Sequence, residues 1–101
     1  MHEDLILSIR SERRWHSKCL GILALHTLQQ ATKINTRGIK WRVQDTANLL
    51  HLSIGYVSES LALAKAIAIA KSRYNMDGQL EKMTRDQALR VIKEWKDLDS
   101  Y

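Results

Sequence analysis

The chain contains no proline. In 101 residues it also has only four glycines, so few positions oppose helix formation. Its hydrophobic fraction of 45% is enough for one modest core at this length. These features predict an all-α protein whose residues 1–101 form a single domain, a compact bundle of four to six helices.

Apolar spacing and turn residues divide the chain into helical segments. The first segment runs from residue 5 to about 34, with Ser11 as a candidate break and as a cap for a second helix starting at Glu12. Its apolar block from Cys19 to Leu28 predicts the central buried helix, where Gly21 would permit close approach of a neighbour. Further helices are predicted at about 43–51, at 54–73 after a Ser53 N-cap, and from a capping box at Thr84–Gln87 to about 98.

The positive charge is concentrated in the middle of the chain. The formal net charge is +5, and residues 36–74 contain six lysines and arginines against two acidic residues. This segment therefore carries +4. Such a surplus suits an acidic partner such as nucleic acid, although a solvated surface of mixed charge would give a similar count.

The basic segment also contains two short helices joined by a turn of about three residues. A small residue, Ala47, would let the second helix cross closely over the first. Leu50 and Leu52 would fill the angle between them, while Val57 and Leu61 would face the core. This spacing predicts a crossing of roughly 90–120°, the helix-turn-helix geometry, which leaves the second helix free to enter a major groove.

The pattern resembles the helix-turn-helix of bacterial, plasmid and phage DNA-binding proteins, and is most similar to the ParB/KorB-like plasmid-partition group. The similarity lies between Trp41 and Ala66 and is carried by Trp41, Val43, Thr46, Ala47, Leu50, Leu52, Ser53, Tyr56, Val57 and Ser58. Two positions depart from it: His51 stands where such turns often have glycine, and Arg42 offers no acceptor as an N-cap. The resemblance implies DNA binding through a unit at about 43–72, and it does not extend to partition.

The resemblance also implies two sets of DNA contacts. The base-facing set, early in the second helix, is Gly55, Tyr56, Ser58, Glu59, Ser60 and Ala62. The phosphate set is Arg37, Lys40, Arg42, Ser53 and Lys65. Small and hydroxyl side chains suit close approach and base-edge hydrogen bonds, and cations suit phosphates. Glu59 is equally well explained as a solvent-facing acid, and Ser53 is better explained as a helix cap than as a phosphate contact.

Catalytic and metal-binding patterns are not found in the sequence. The four histidines and the single Cys19 do not have metal-ligand spacing, and no glycine-rich phosphate loop or nucleophile motif occurs. We therefore expect no enzymatic activity, no catalytic residue, no metal and no cofactor. A lone cysteine, an acidic N-terminus and the lack of a roughly 20-residue apolar stretch predict a cytoplasmic, nucleoid-associated protein that does not bind membranes.

The sequence thus favours specific binding of double-stranded DNA by a small transcriptional regulator or a plasmid- or phage-encoded DNA-organising factor. A homodimer is expected, because one such unit buries only about 600–1,000 Å² of surface. Candidate dimer surfaces are the N-terminal helix, the stripe Leu63, Ile67 and Ala70, and the helix carrying Trp95. Two alternatives remain: a phage packaging (small terminase-like) module, and a protein-interaction adaptor without DNA affinity.

Overall fold

The computed structural model describes residues 2–32, 38, 40–74 and 78–95. Within these ranges the chain forms five α-helices. They are α1 (His2–Ser11), α2 (Trp15–Thr32), α3 (Val43–Leu50), α4 (Ile54–Tyr74) and α5 (Arg85–Ile92), with a short 3-10 helix at Leu80–Lys82. No β-strand occurs within these described ranges. The prediction of an all-α bundle with four to six helices is confirmed.

The predicted break near Ser11 is present, but the role assigned to that residue is wrong. Ser11 is the last residue of α1, and its hydroxyl donates back to the carbonyl of Leu7 at 2.7 Å. The next helix begins at Trp15 rather than at Glu12. In the connection, the Glu12 carboxylate accepts a hydrogen bond from the backbone N–H of Arg14 at 3.0 Å. Glu12 therefore supplies the side-chain acceptor before α2 that was predicted for Ser11.

Helix α2 packs against α1, α3 and α4. Gly21 permits the contact with α1, because a Cβ atom at this position would lie 3.0 Å from Cγ1 of Ile9. Helix α2 is central, as predicted, but it is buried on one side only. Leu20 and Leu28 are 42% and 43% exposed, so one apolar face of α2 is left uncovered by the rest of the described chain.

Two apolar clusters form the core. The first joins α1, α2, α3 and the start of α4, and its buried members are Ile9, Ile22, Leu25, Ala47, Leu50, Val57 and Leu61. The second joins α2 to the rest of α4 and to α5, and its buried members are Cys19, Leu63, Ala64, Ala66, Ala70, Leu80, Ala88, Ile92 and Trp95. The predicted dimer stripe of Leu63, Ile67 and Ala70 is wrong, because Leu63 and Ala70 are buried within the chain and Ile67 is half-buried. Trp95 is buried as well, while the N-terminal helix and the last helix remain predictions as dimer surfaces.

The connection between α3 and α4 has the predicted helix-turn-helix form. The chain direction changes by 109° between the two helices, within the predicted range. Ala47 is buried at the crossing. Helix α4 begins at Ile54 after an N-cap, since the Ser53 hydroxyl accepts from the backbone N–H of Tyr56 at 3.1 Å. This part of the local prediction is confirmed.

A Schellman motif ends α3. His51 has φ 57° and ψ 42°, the left-handed conformation, and it is the one non-glycine residue with positive φ among those described. The N–H of Leu52 donates to the carbonyl of Ala47 at 2.9 Å, and that of His51 to Asn48 at 3.3 Å. This is the position where glycine is usual, because a Cβ atom disfavours left-handed backbone.

Replacing His51 with glycine is expected to raise the free energy of unfolding by about 0.5–1 kcal/mol, since glycine removes the left-handed strain at a small entropic cost. Urea denaturation measures this as a higher midpoint with an unchanged m value. His51→Ala is the control, because it keeps the Cβ atom and gives no such gain. Equal stability of the glycine and alanine variants would contradict the prediction.

The predicted capping box of the last helix is also confirmed. The Thr84 hydroxyl accepts from the N–H of Gln87 at 3.2 Å, and the Gln87 side-chain oxygen accepts from the N–H of Thr84 at 3.0 Å. Helix α5 ends at Ile92, and the predicted fraying near residue 98 falls outside the described residues.

Candidate nucleic-acid interface

One side of α4 is exposed at the start of the helix and is partly covered further along, where Ala62 and Ile69 pack against the second core cluster. Its members are spaced three or four residues apart, so they share one side of the helix: Ile54, Ser58, Ala62, Lys65 and Ile69. We call these five residues the outward stripe. Ile54 is 53% exposed, Ser58 and Lys65 are exposed, and Ala62 and Ile69 are half-buried. The stripe therefore presents mostly small and apolar side chains and a single charge, that of Lys65.

Gly55 lies beside the start of the outward stripe. Apart from its neighbours in α4, no described atom lies within 4 Å of the position its Cβ would occupy, and its φ is not positive. Glycine costs a helix roughly 0.5–1 kcal/mol relative to alanine. No contact within the described fold requires this glycine. A glycine leaves the helix surface flat, which suits close approach of a binding partner.

Four of the predicted base- and phosphate-contacting residues lie on or beside this face. They are three residues of the base-facing set, Gly55, Ser58 and Ala62, and one residue of the phosphate set, Lys65. Ile54 was missed, because its apolar spacing with Val57 suggested a core position.

The predicted phosphate contacts before α3 are partly described. Lys40 and Arg42 are exposed and directly precede α3, whereas Arg37 lies outside the described residues. The backbone N–H of Arg42 donates to the Asp45 carboxylate at 2.8 Å. This interaction fixes the start of α3 and leaves the Arg42 side chain at the surface. Ser53 is used as the N-cap of α4.

The prediction that Ser60 faces the bases is wrong. Its side chain is 0% exposed and lies beside the buried thiol of Cys19 on α2. The reason is helical geometry, since two residues along an α-helix correspond to about 200° of rotation, so Ser60 and Ser58 face opposite sides. Burial raises the pKa of Cys19, opposed by the nearby Ser60 hydroxyl and by the charge of Arg85.

Tyr56 and Glu59 are turned toward α5 rather than along the outward stripe. The Arg85 guanidinium carbon lies 4.3 Å from the centroid of the Tyr56 ring, and Nζ of Lys18 lies 5.6 Å from it. Arg85 also donates to the Glu59 carboxylate at 3.2 Å. These contacts hold α4 against α2 and α5, and the Tyr56 ring is half-buried. The base-facing role predicted for Tyr56 is thus not favoured by its position, and Glu59 lies at the edge of the exposed face, paired with a cation.

A buried polar network holds the helix-turn-helix on α2. The indole N–H of Trp41 donates to the Thr46 hydroxyl at 2.8 Å, and Nδ1 of His26 lies 2.7 Å from the same oxygen. The hydroxyl can accept from Trp41 while donating to the neutral imidazole. The network was not predicted, because His26 and Thr46 are 20 residues apart and neither lies in a recognisable polar motif.

A cavity of about 400 Å³ adjoins this network between α2, α3 and α4. It is lined by Leu23, His26, Thr27, Gln30, Val43, Leu61 and Lys65. Among the described residues of the lining none is acidic, and Lys65 of the outward stripe is one of them. The surface next to α3 and α4 is therefore neutral to positive at this point.

The unfolding free energy should depend on pH through His26. Burial lowers the pKa of His26 below its ordinary value of 6.5, with a further lowering by the charge of Lys65. Folding therefore favours the neutral imidazole of His26. The resulting contribution to the free energy of unfolding is fully present above pH 6.5 and is lost as the pH falls below 6.5. Denaturation measured at pH values of about 7.5, 6.5 and 5.5 should show this decline. The His26→Gln variant should lack that part of the slope, and an identical slope in both proteins would contradict the assignment.

Among the described residues, no three His, Cys, Asp or Glu side chains come together as a metal site would require. No single helix in the described part of the chain is long and apolar enough to cross a membrane; α3 and α4 reach that hydropathy only when joined across their 109° bend. No family model, curated protein or solved structure matches the chain. What the chain binds is therefore inferred from α3, α4 and the surface they present.

Proposed function

We propose that this chain binds double-stranded DNA in a sequence-specific manner through α3 and α4, as a small transcriptional regulator or a plasmid- or phage-encoded DNA-organising factor. The observation that carries the proposal is the 109° turn between α3 and α4, together with the exposure of Ile54, Gly55 and Ser58 at the start of α4. A helix presented in this way has the geometry of a recognition helix in a major groove.

The composition of the outward stripe supports this role. Gly55 and Ala62 are small enough for α4 to approach the base edges closely. The Ser58 hydroxyl can donate to or accept from a base, and Ile54 offers an apolar surface for a thymine methyl group. A negative charge on the exposed face would oppose binding. The nearest carboxylate, Glu59, is paired with Arg85 at 3.2 Å.

The residues before α3 supply the phosphate contacts in this proposal. Lys40 and Arg42 are exposed at the point where α3 begins, and the amides of a helix N-terminus favour an anion. In a helix-turn-helix, the first helix crosses the DNA backbone while the second enters the groove. Contacts from Lys40 and Arg42 would fix the orientation of α4 without reading sequence.

A homodimer is part of the proposal. One unit of this type buries only about 600–1,000 Å² on DNA, and two copies on a two-fold site add specificity that one copy lacks. The outward stripe contains no residue whose chemistry calls for a cofactor.

Arg42→Ala tests the proposed docking. We expect it to weaken binding to all DNA sequences about threefold to tenfold, and to lower the slope of log affinity against log salt by about one, because one phosphate contact is lost. Fluorescence anisotropy with labelled genomic fragments between roughly 50 and 200 mM salt measures both quantities. Lys93→Ala, which removes the same charge from an exposed position beyond α5, should leave the slope unchanged.

Two outcomes would contradict the proposal. If the unmodified protein does not bind duplex fragments at low salt, the chain is better described as a protein-interaction adaptor. If Arg42→Ala and Lys93→Ala lower the salt slope equally, the effect is one of net charge and α3 does not dock on phosphates.

A further inference from the structure

The uncovered face of α2 has an internal symmetry. Its members again share one side of the helix: Ser17, Leu20, Ala24, Leu28 and Ala31. Leu20 and Leu28 are the two large residues, each more than two-fifths exposed. Ala24 and Ala31 are exposed as well, and Ser17 is half-buried. The opposite side of α2 packs against α4. We call these five residues the α2 stripe.

The order of residues in the α2 stripe reads the same from either end. Leu20 and Leu28 lie four residues before and after Ala24, and small residues, Ser17 and Ala31, lie seven residues before and after it. Two such helices laid antiparallel would therefore place each leucine opposite the other leucine of the second helix. A two-fold interface requires such self-complementarity, because the same patch meets itself.

The lack of charged residues on the α2 stripe favours a second copy of this chain as its binding partner. From Cys19 to Thr32 the chain has no Asp, Glu, Lys or Arg, although charged residues make up 27% of the protein. The α2 stripe has no cation, whereas the surface proposed for DNA has Lys65 on α4 and Lys40 and Arg42 before α3. Two copies with a net charge of +5 each repel one another least where they meet through uncharged surface.

We propose that α2 pairs with α2 of a second copy of this chain, antiparallel, about a two-fold axis at Ala24. Leu20 of one copy packs on Leu28 of the other, and the small Ala24 side chains allow the helix axes to approach closely. The inference rests on the homodimer of the proposed function and supplies its surface. Of the dimer surfaces predicted from sequence, none includes this helix face.

Charge replacement distinguishes this arrangement from other modes of association. Leu20→Glu alone and Leu28→Lys alone are expected to weaken self-association at least roughly tenfold, since each places a charge against a leucine. In the double variant, the carboxylate introduced by Leu20→Glu in one copy faces the ammonium group introduced by Leu28→Lys in the other, and association should recover. Sedimentation equilibrium without DNA reports the change, as loss and return of a species of twice 11.7 kDa. Circular dichroism of each variant checks that the helices remain folded.

Cross-linking tests the position of the axis. Ala24→Cys should form a disulfide-linked dimer under mild oxidation, because a residue on the axis meets its own copy within disulfide distance. Gln30→Cys, exposed on α2 but off the stripe, is the matched control. The native Cys19 is buried and should not cross-link. Leu20→Cys mixed with Leu28→Cys should cross-link more than either alone.

A chain that stays monomeric without DNA, or an Ala24→Cys variant that cross-links no faster than Gln30→Cys, would overturn the proposed interface. Stronger cross-linking of Leu20→Cys alone than of the mixture would also overturn it, because that result indicates parallel helices. These measurements use no DNA. Their failure therefore leaves the DNA contacts proposed for α3 and α4 standing, although a monomeric chain would also remove the homodimer from that proposal. Failure to bind DNA, in turn, leaves the α2 pairing standing.

Discussion

Replacing Thr46 with valine is expected to lower the free energy of unfolding by about 2–4 kcal/mol. Valine has nearly the same shape but no hydroxyl, so the indole N–H of Trp41 and Nδ1 of His26 both lose their partner. Thr46 and His26 are buried, and a buried polar group left unsatisfied costs far more than a hydrogen bond contributes on balance. Since a domain of this size is stable by only about 5–15 kcal/mol, the loss is a large fraction of the total.

Urea denaturation near neutral pH measures this change. Thr46→Ser is the matched control, because it keeps the hydroxyl and removes one methyl group, at a cost of about 1 kcal/mol. A double-mutant cycle with Trp41→Phe isolates the Trp41–Thr46 contact, and the two effects should be less than additive. If Thr46→Val is as stable as Thr46→Ser, the hydroxyl does not link α2, α3 and Trp41 as described.

Replacing Ser58 with glutamate is expected to weaken DNA binding about 100-fold, equivalent to about 2.7 kcal/mol. The side chain lies near the middle of the exposed face, and a carboxylate there would be held in a groove flanked by phosphates. Folding should be nearly unaffected, because Ser58 is exposed and surface replacements usually change stability by less than about 0.5 kcal/mol.

Ala68→Glu is the matched control for this experiment. Ala68 is also exposed on α4, but it lies off the outward stripe and about 15 Å further along the helix. It changes the net charge by the same amount, so a general electrostatic effect would weaken both variants equally. Anisotropy titrations at one fixed salt concentration compare them. Equal affinities for the two variants would mean that the outward stripe of α4 is not the DNA-binding surface.

The local features of the helix-turn-helix could be predicted from the sequence. The caps at Ser53 and Thr84 act through hydrogen bonds to amides three residues away, and the small Ala47 at the crossing follows from the spacing of its neighbours. Such interactions are complete within one or two turns of helix. The residues that carry them are therefore close together in the sequence as well as in space.

The orientation of α4 could be predicted only in part. Gly55 and Ser58 were placed correctly on the exposed side, whereas Ala62 is half-buried and Ser60 is buried. Tyr56 was also placed on that side, because an alignment with related patterns gives an order of residues and not the position of α5. The contact of Arg85 with Glu59 joins residues 26 positions apart, and no short-range pattern indicates it.

Local chemistry along the chain was sufficient to establish that this protein is helical, where α3, α4 and α5 begin, and that α3 and α4 meet at a sharp angle. The absence of proline, the side-chain caps and the apolar spacing act within a few residues, so their effects can be predicted without the fold. Which apolar stripes are covered was settled by tertiary packing, which buried Leu63 and Trp95 and left Leu20 and Leu28 uncovered. Burial depends on which distant helices pack against a stripe, and an apolar residue looks the same in sequence whether or not a neighbour covers it.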